Sequence, residues 1–278
     1  MKLAMAGVVV TALAASAAWA SVGIADGDFE ALDVGLAPSN GVPAGHWRIP
    51  QNYVSAGLGE SSTTDVQVVS TASFDPGAPG KSLWFNAGLK GASTHVANVF
   101  DEQLHETPGS LVMLSYDLFV RSASPTTTWG GGSVYLAKDN GGGGFNSTSD
   151  RGPQVTFDQN RRITVRFAFG GGVEGAILKE NYPLDAWQTV RLIVNLNTDR
   201  FDVYHGLRGQ ELSLIGSQIA FRSGPLDGFD RVNIARFADF NKYTDAFYDN
   251  FQLSEIPAPP VASLLAGGLL SGTKRRRR

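Results

Sequence analysis

The chain of 278 residues contains no cysteine and only four histidines. Without thiols it forms no disulfide, no thiolate nucleophile and no cysteine-ligated metal centre. It is therefore not a small stapled module, and a chain this long does not need to be one, because it can bury a substantial core. His46, His95 and His205 stand far apart, and no H-E-x-x-H pattern occurs. The acidic stretch "DEQLHE" (Asp101, Glu102, His105, Glu106) runs into the turn "TPGS" and reads as a solvated strand end. Also absent are G-x-S-x-G, a P-loop and a dinucleotide fingerprint, which leaves serine-hydrolase, nucleotide and nicotinamide chemistry without a motif.

Positive charge is scarce in the body of the chain. Of 23 Lys and Arg, Lys2 and the five cations of 274–278 lie at the ends, so residues 21–255 hold 17 against 26 Asp and Glu, a net of −9. That balance offers no basic footprint for nucleic acid or anionic lipid. It favours solubility and cation binding instead.

What the chain has in abundance is turn and strand chemistry: 33 glycines and 13 prolines interrupt short runs of Val, Ile, Phe, Tyr and Thr. Near 13 segments read as strands, from "DVQVVSTASF" through "LVMLSYDLFV" and "PQVTFD" to "AFYDNFQLS", many with period-two alternation. In "WQTVRLIVNLNTDRFDVYHG" Val190, Leu192, Val194 and Leu196 share one face, Asn197 to Asp199 turn the chain, and Phe201 and Val203 return. The spacing predicts an all-β, antiparallel two-sheet sandwich over 21–255. No linker divides that span, and the Gly-rich "DNGGGGFNSTSDRG" reads as a loop within it.

The two ends carry addresses. Residues 1–20, "MKLAMAGVVVTALAASAAWA", place one cation before an apolar run and end on Ala18-Trp19-Ala20, the small-residue pattern a signal peptidase reads, so the expected mature N-terminus is Ser21. Residues 256–278 run Pro257-Ala258-Pro259, then an apolar stretch over 261–272, then Lys274, Arg275, Arg276, Arg277 and Arg278. As a helix that stretch is about 18 Å long against a bilayer core of about 30 Å. Cations behind it would stay on the cytoplasmic side.

This tail resembles the PEP-CTERM sorting signal, with Ala258 where that signal has Glu. The resemblance implies a signal helix and a short C-terminal apolar helix, transient inner-membrane association and processing by an exosortase-type enzyme. It also implies export via the inner membrane to the cell envelope or extracellular (biofilm) matrix of a Gram-negative-type bacterium. A tail anchor or a basic scar are the alternatives.

The fragments "DGDFEALDVG", "DAWQTVRLIVNLNTDRFDVYHG" and "FYDNFQLSE" resemble concanavalin A-like lectin/glucanase (LamG-like) jelly rolls. That resemblance implies a carbohydrate-facing sheet and often a structural calcium ion. Calcium takes oxygen ligands, and Asp28 and Glu30 (with Asp26) near the first strand and Asp249 (with Asp245 and Asn250) near the last are the candidates. A second oxygen-rich set is Asp139, Asn140, Asn146 and Asp150. Exposed aromatics stack on sugar rings, which makes Trp129, Trp47 and Tyr53 the candidate glycan contacts, while Trp84 and Trp187 sit inside strand patterns and read as core. The E-x-D-x-E strand motif of glucanases does not occur. The expected function is therefore glycan binding or adhesion by an exported sandwich. The alternative is a polysaccharide-active hydrolase or lyase on the same fold.

Overall fold

Alternation along the chain does build strands. The computed structural model describes residues 24, 27–35, 47–48, 66–76, 78–85, 94–105, 111–122, 130–138, 151–236 and 245–256. In chain order the strands are β1 (Trp47–Arg48), β2 (Val66–Ser70), β3 (Lys81–Phe85), β4 (Thr94–His105), β5 (Leu111–Val120), β6 (Gly132–Ala137) and β7 (Arg151–Phe157). They continue with β8 (Ile163–Phe169), β9 (Gly172–Lys179), β10 (Trp187–Asn195), β11 (Arg200–Leu207), β12 (Ser213–Ala220), β13 (Gly228–Arg236) and β14 (Ala246–Ile256). Each of the 13 expected segments is one of these strands, and β1 is the addition. The expected signal helix and C-terminal apolar helix lie outside the described residues. No helix among the described residues is long and apolar enough to cross a membrane.

The strands form two seven-stranded sheets, both antiparallel. The first runs β12-β11-β10-β5-β14-β3-β2 and the second β1-β4-β13-β6-β7-β8-β9. Their inner faces meet in one large cluster that includes Leu83, Leu114, Tyr116, Leu192 and Val203 from the first sheet and Val134, Val155, Phe157, Val165 and Ile234 from the second. The predicted hairpin holds: β10 pairs with β11 from Gln188 opposite Leu207 to Asn195 opposite Arg200, and Val190, Leu192, Val194, Phe201 and Val203 are all buried. At its turn Asp199 takes φ 50°, the left-handed conformation that Asp tolerates better than most residues.

One irregularity positions the N-terminal segment. Between Asp249 and Gln252, β14 gains a residue against β5, a bulge with Asn250 at φ 52°. The extra residue shifts the alternation, so Tyr248 and Phe251, three apart, both point into the main core. Phe251 N–H then donates to Gly27 O at 2.8 Å, and a Cβ on Gly27 would lie 2.0 Å from Phe251 O, so only glycine allows this approach. First and last segments therefore meet, with Phe29 beside Trp47 and Phe251.

The outer face of the first sheet carries its own small core. Phe119, Trp187 and Phe247 are buried there with Phe74 and Trp84 against them, and Phe74 stacks on Phe247 at 3.6 Å. Trp84 and Trp187 thus pack in this satellite rather than between the sheets. Parity explains it: Trp187 is odd where Val190, Leu192 and Val194 are even, so it faces the other way.

Candidate functional site

Four segments of the second sheet and one stray segment build a pocket on that sheet's outer face. Along β7, Val155 and Phe157 enter the core, so Gln154 and Thr156 point outward; Ser133 on β6 and Thr164 and Arg166 on β8 share that face. The pocket has a volume of about 490 Å³ and opens to solvent.

Its key wall comes from a split in the sheet. β7 and β8 pair only over Val155–Phe157 and Ile163–Val165, then diverge. Residues 221–223, which follow β12 of the other sheet, enter the gap. Arg222 N–H and Ser223 N–H donate to Gly152 O and Arg151 O at 3.2 and 3.0 Å, and Ala168 N–H donates to Phe221 O at 3.0 Å. Phe221 is anchored in the core, with ring centroids 6.5 Å from Phe201 and 5.5 Å from Phe229. By alternation its neighbour Arg222 faces the pocket, where it lines the wall.

Polar contacts on this face are dense and buried. Arg222 Nη1 donates to Gln154 Oε1 at 2.5 Å, Gln154 Nε2 donates to Ser133 Oγ at 3.2 Å, and the Ser133 and Thr156 hydroxyls lie 2.6 Å apart. Arg151 lies over the ring of Tyr135, 4.8 Å from its centroid. Burial holds the Tyr135 phenol above its ordinary value, against the lowering pull of Arg151, Arg222 and Arg231. Burial, then the charges of Arg151 and Arg166, lower Arg222 to about 10. Asp158, at the β7–β8 turn, takes backbone N–H donors from Asn160 and Arg162 and an ion pair from Arg162 at 2.7 Å.

A second polar cluster lies on the outer face of the first sheet. Asp117 of β5 stands opposite Asp249 of β14. Thr189 Oγ1 and Asn250 Nδ2 donate to Asp117 at 2.6 and 2.8 Å, and Arg208 reaches Asp117 at 3.1 Å and Asp249 at 3.7 Å. Burial pushes Asp249 up to about 6, with Asp117 and Asp28 adding to the rise and Asn250 N–H and Arg208 opposing it.

The sequence-derived candidates fall as follows. Trp47 is not a glycan platform: it is 1% exposed and packs edge-on to Phe251 at 4.7 Å, because β1 lays it over the junction of the first and last segments. Trp129, Tyr53, the loop set Asp139, Asn140, Asn146 and Asp150, and Pro257, Pro259 and Lys274 to Arg278 lie outside the described residues. Asp28 is exposed and its Oδ1 accepts Glu30 N–H at 3.2 Å. Glu30 is engaged elsewhere: Oε1 accepts Lys81 N–H at 2.7 Å, while Lys81 Nζ donates to Glu30 O at 2.8 Å. Asp28 and Asp249 are close enough for one charge to act on the other, whereas the Glu30 carboxylate is held by the Lys81 N–H. No group of three acidic or histidine ligands forms among the described residues. Nothing in the sequence context of Arg151, Gln154 and Arg222 singles them out. Alternation in "PQVTF" marks Gln154 and Thr156 as outward, but nothing local distinguishes a pocket from a solvated face.

No protein-family model matches the chain, and no curated protein matches it in sequence. Among solved structures it is similar to the catalytic domain of a glycoside hydrolase family 131 protein from Coprinopsis cinerea. That match has TM-score 0.51 and 11% identity, over 85% of this chain and 95% of that one. It is also similar to an endo-1,3-β-glucanase from Streptomyces sioyaensis (0.49, 12%, over 90% and 100%) and to lectin II from Ulex europaeus (0.47, 10%, over 70% and 94%). At such identities the likeness concerns fold alone. The chain is a concanavalin A-like jelly-roll sandwich.

Proposed function

We propose that this protein is an exported jelly-roll sandwich of the cell envelope or extracellular matrix that binds glycan in the pocket of its second sheet. The observation that carries the reading is the pocket itself. It has the volume of a small-ligand site, and it is lined by fixed donors and acceptors, Ser133, Gln154, Thr156 and Arg222, of the kind that hold hydroxyl-rich ligands. A glycan array probed with the full chain, with product analysis on every glycan retained, tests it. Retention of none overturns the reading.

A polysaccharide-active hydrolase or lyase is the alternative, favoured by the likeness to a glycoside hydrolase catalytic domain. Asp158 is the only carboxylate among the described residues lining the pocket, and it is committed to Arg162, so a carboxylate-pair hydrolysis lacks its second member there. New reducing ends or unsaturated products in the product analysis would favour the alternative.

Export and sorting belong to the same proposal, supported by Ala18-Trp19-Ala20 and by the order Pro-x-Pro, apolar run, cations at the C-terminus. Mass spectrometry of exported protein is expected to find Ser21 at the N-terminus; retention of 1–20 contradicts it. Pro257 and Pro259 would mark the processing region, and Lys274 to Arg278 would hold the tail before cleavage.

A structural calcium ion would be held by Asp28 and Asp249, whose mutual repulsion it would relieve, and Glu30 drops out of that set. An ion bound only by the folded state stabilises it by mass action. EDTA is then expected to lower the melting temperature, calcium to restore it, and Asp249→Asn to abolish the response. Identical melting curves with and without chelator would remove the ion.

A further inference from the structure

The pocket is cationic although the body of the chain is acidic. Arg151, Arg166 and Arg222 reach it from β7, β8 and the inserted segment 221–223. A buried guanidinium ordinarily pairs with a carboxylate. Arg222, only 6% exposed, is instead held by the neutral amide of Gln154, and its buried Nε has no hydrogen-bond partner among the described residues. Gln154 is itself fixed by Ser133, so the fold orients Arg222 without neutralising it. Arg166 is exposed and makes no ion pair among the described residues. Arg162 brings a fourth guanidinium, but Asp158 already occupies it. Among the described residues no carboxylate pairs with Arg222 or Arg166, so the repulsion between these two cations is built in, and burial strengthens it at Arg222.

We propose that the pocket binds the carboxylate of an acidic sugar, a uronic-acid unit of an extracellular polysaccharide, with Arg222 and Arg166 as the recognising guanidiniums. The proposal rests on the glycan-binding reading and names its ligand class. A guanidinium presents parallel N–H donors that match a planar carboxylate. Around them the hydroxyls of Ser133, Thr156 and Thr164 suit sugar hydroxyls, and the exposed side chain of Ile177 offers an apolar edge for the ring. The acidic body repels polyanions in general, uronates included, so the attraction to a carboxylate arises only at this recess.

The test is calorimetric titration of the full chain with oligomers of glucuronate, galacturonate and mannuronate, each against its neutral counterpart of the same linkage and against a counterpart sulfated at C6. At least one uronate is expected to bind about ten-fold more tightly than its neutral counterpart, the worth of one charge-assisted pair, and to weaken as salt rises. Arg166→Gln, at an exposed position, is expected to lower that affinity about ten-fold at an unchanged melting temperature. Arg222→Lys is expected to lower it at least as far, because one ammonium cannot supply the parallel donors. Equal affinity for neutral and uronate oligomers, an unaltered Arg166→Gln, or preference for the sulfated form overturns the acidic-sugar assignment and leaves glycan binding standing. Failure of every oligomer to bind removes both.

Discussion

Phe221→Ala is expected to lower the melting temperature by roughly 10 °C and to weaken ligand binding at the pocket in the same variant. Phe221 is fully buried against Phe201 and Phe229. Truncating a core phenylalanine costs about 3–5 kcal/mol, and in a domain of this size each kcal/mol shifts melting by about 2–4 °C. The binding effect follows from position. The Phe221 ring is the anchor that holds segment 221–223 in the split between β7 and β8, and Arg222 is its neighbour. Phe85, buried against Tyr248 on the first sheet, supplies the control. Phe85→Ala should cost similar stability and leave affinity alone, both variants being measured well below their melting temperatures. Equal affinities in the two variants would show that Phe221 is packing only.

Acidification from about pH 6.5 to about 4 is expected to cost the protein about 3 kcal/mol through His205 alone. This residue lies between the sheets, 2% exposed. Lys179 Nζ of β9 donates to its Nδ1 at 3.1 Å, its Nε2–H donates to Gln188 Oε1 at 2.9 Å, and Gln188 Nε2 donates to Pro183 O at 2.8 Å. That chain requires a neutral imidazole. Burial first, and the Lys179 charge second, lower His205 to about 4. Between that value and the unfolded value near 6.5 the unfolded chain binds the extra proton, so stability is full above about 6.5 and falls as pH falls. At about 1.4 kcal/mol per pH unit the window amounts to about 3 kcal/mol. Asp249, raised to about 6, acts in the opposite sense, since its folded form takes up a proton as pH falls. The measurement is therefore a difference: denaturant unfolding of the wild type and of His205→Gln across this range, in EDTA. The two stabilities should converge toward pH 4. Parallel curves would mean that His205 does not titrate with folding.

Much of this architecture is legible residue by residue. A strand buries every second side chain, so Val190, Leu192 and Val194 announce their shared face, and the turn at Asn197 to Asp199 follows from its residue types. The meeting of the first and last segments is also within reach, because a jelly roll commonly brings them together. The bulge at Asn250 is not, although it decides that Phe251 points inward and Asp249 outward. It depends on pairing with β5, more than a hundred residues away in the chain. Trp47 shows the same limit. Its flanks, "GHWRIP", carry no periodicity, and only contact with Phe29 and Phe251 makes it core.

Composition and alternation by themselves determined that this is an all-β, antiparallel, cysteine-free sandwich with an acidic body, because those properties depend on near neighbours or on sums. Tertiary structure alone decided where charge is concentrated. A net of −9 is an average over 21–255, whereas Coulomb energy depends on distance and on what lies between. Arg151 and Arg222 are 71 positions apart, the one opening β7 of the second sheet and the other following β12 of the first, yet a three-residue pairing between β7 and β8 opens the gap that brings them to one wall. Gln154 then meets Arg222 where a carboxylate would have cancelled it. No window of the sequence contains that juxtaposition, since it follows from which strands stop pairing and which segment fills the space.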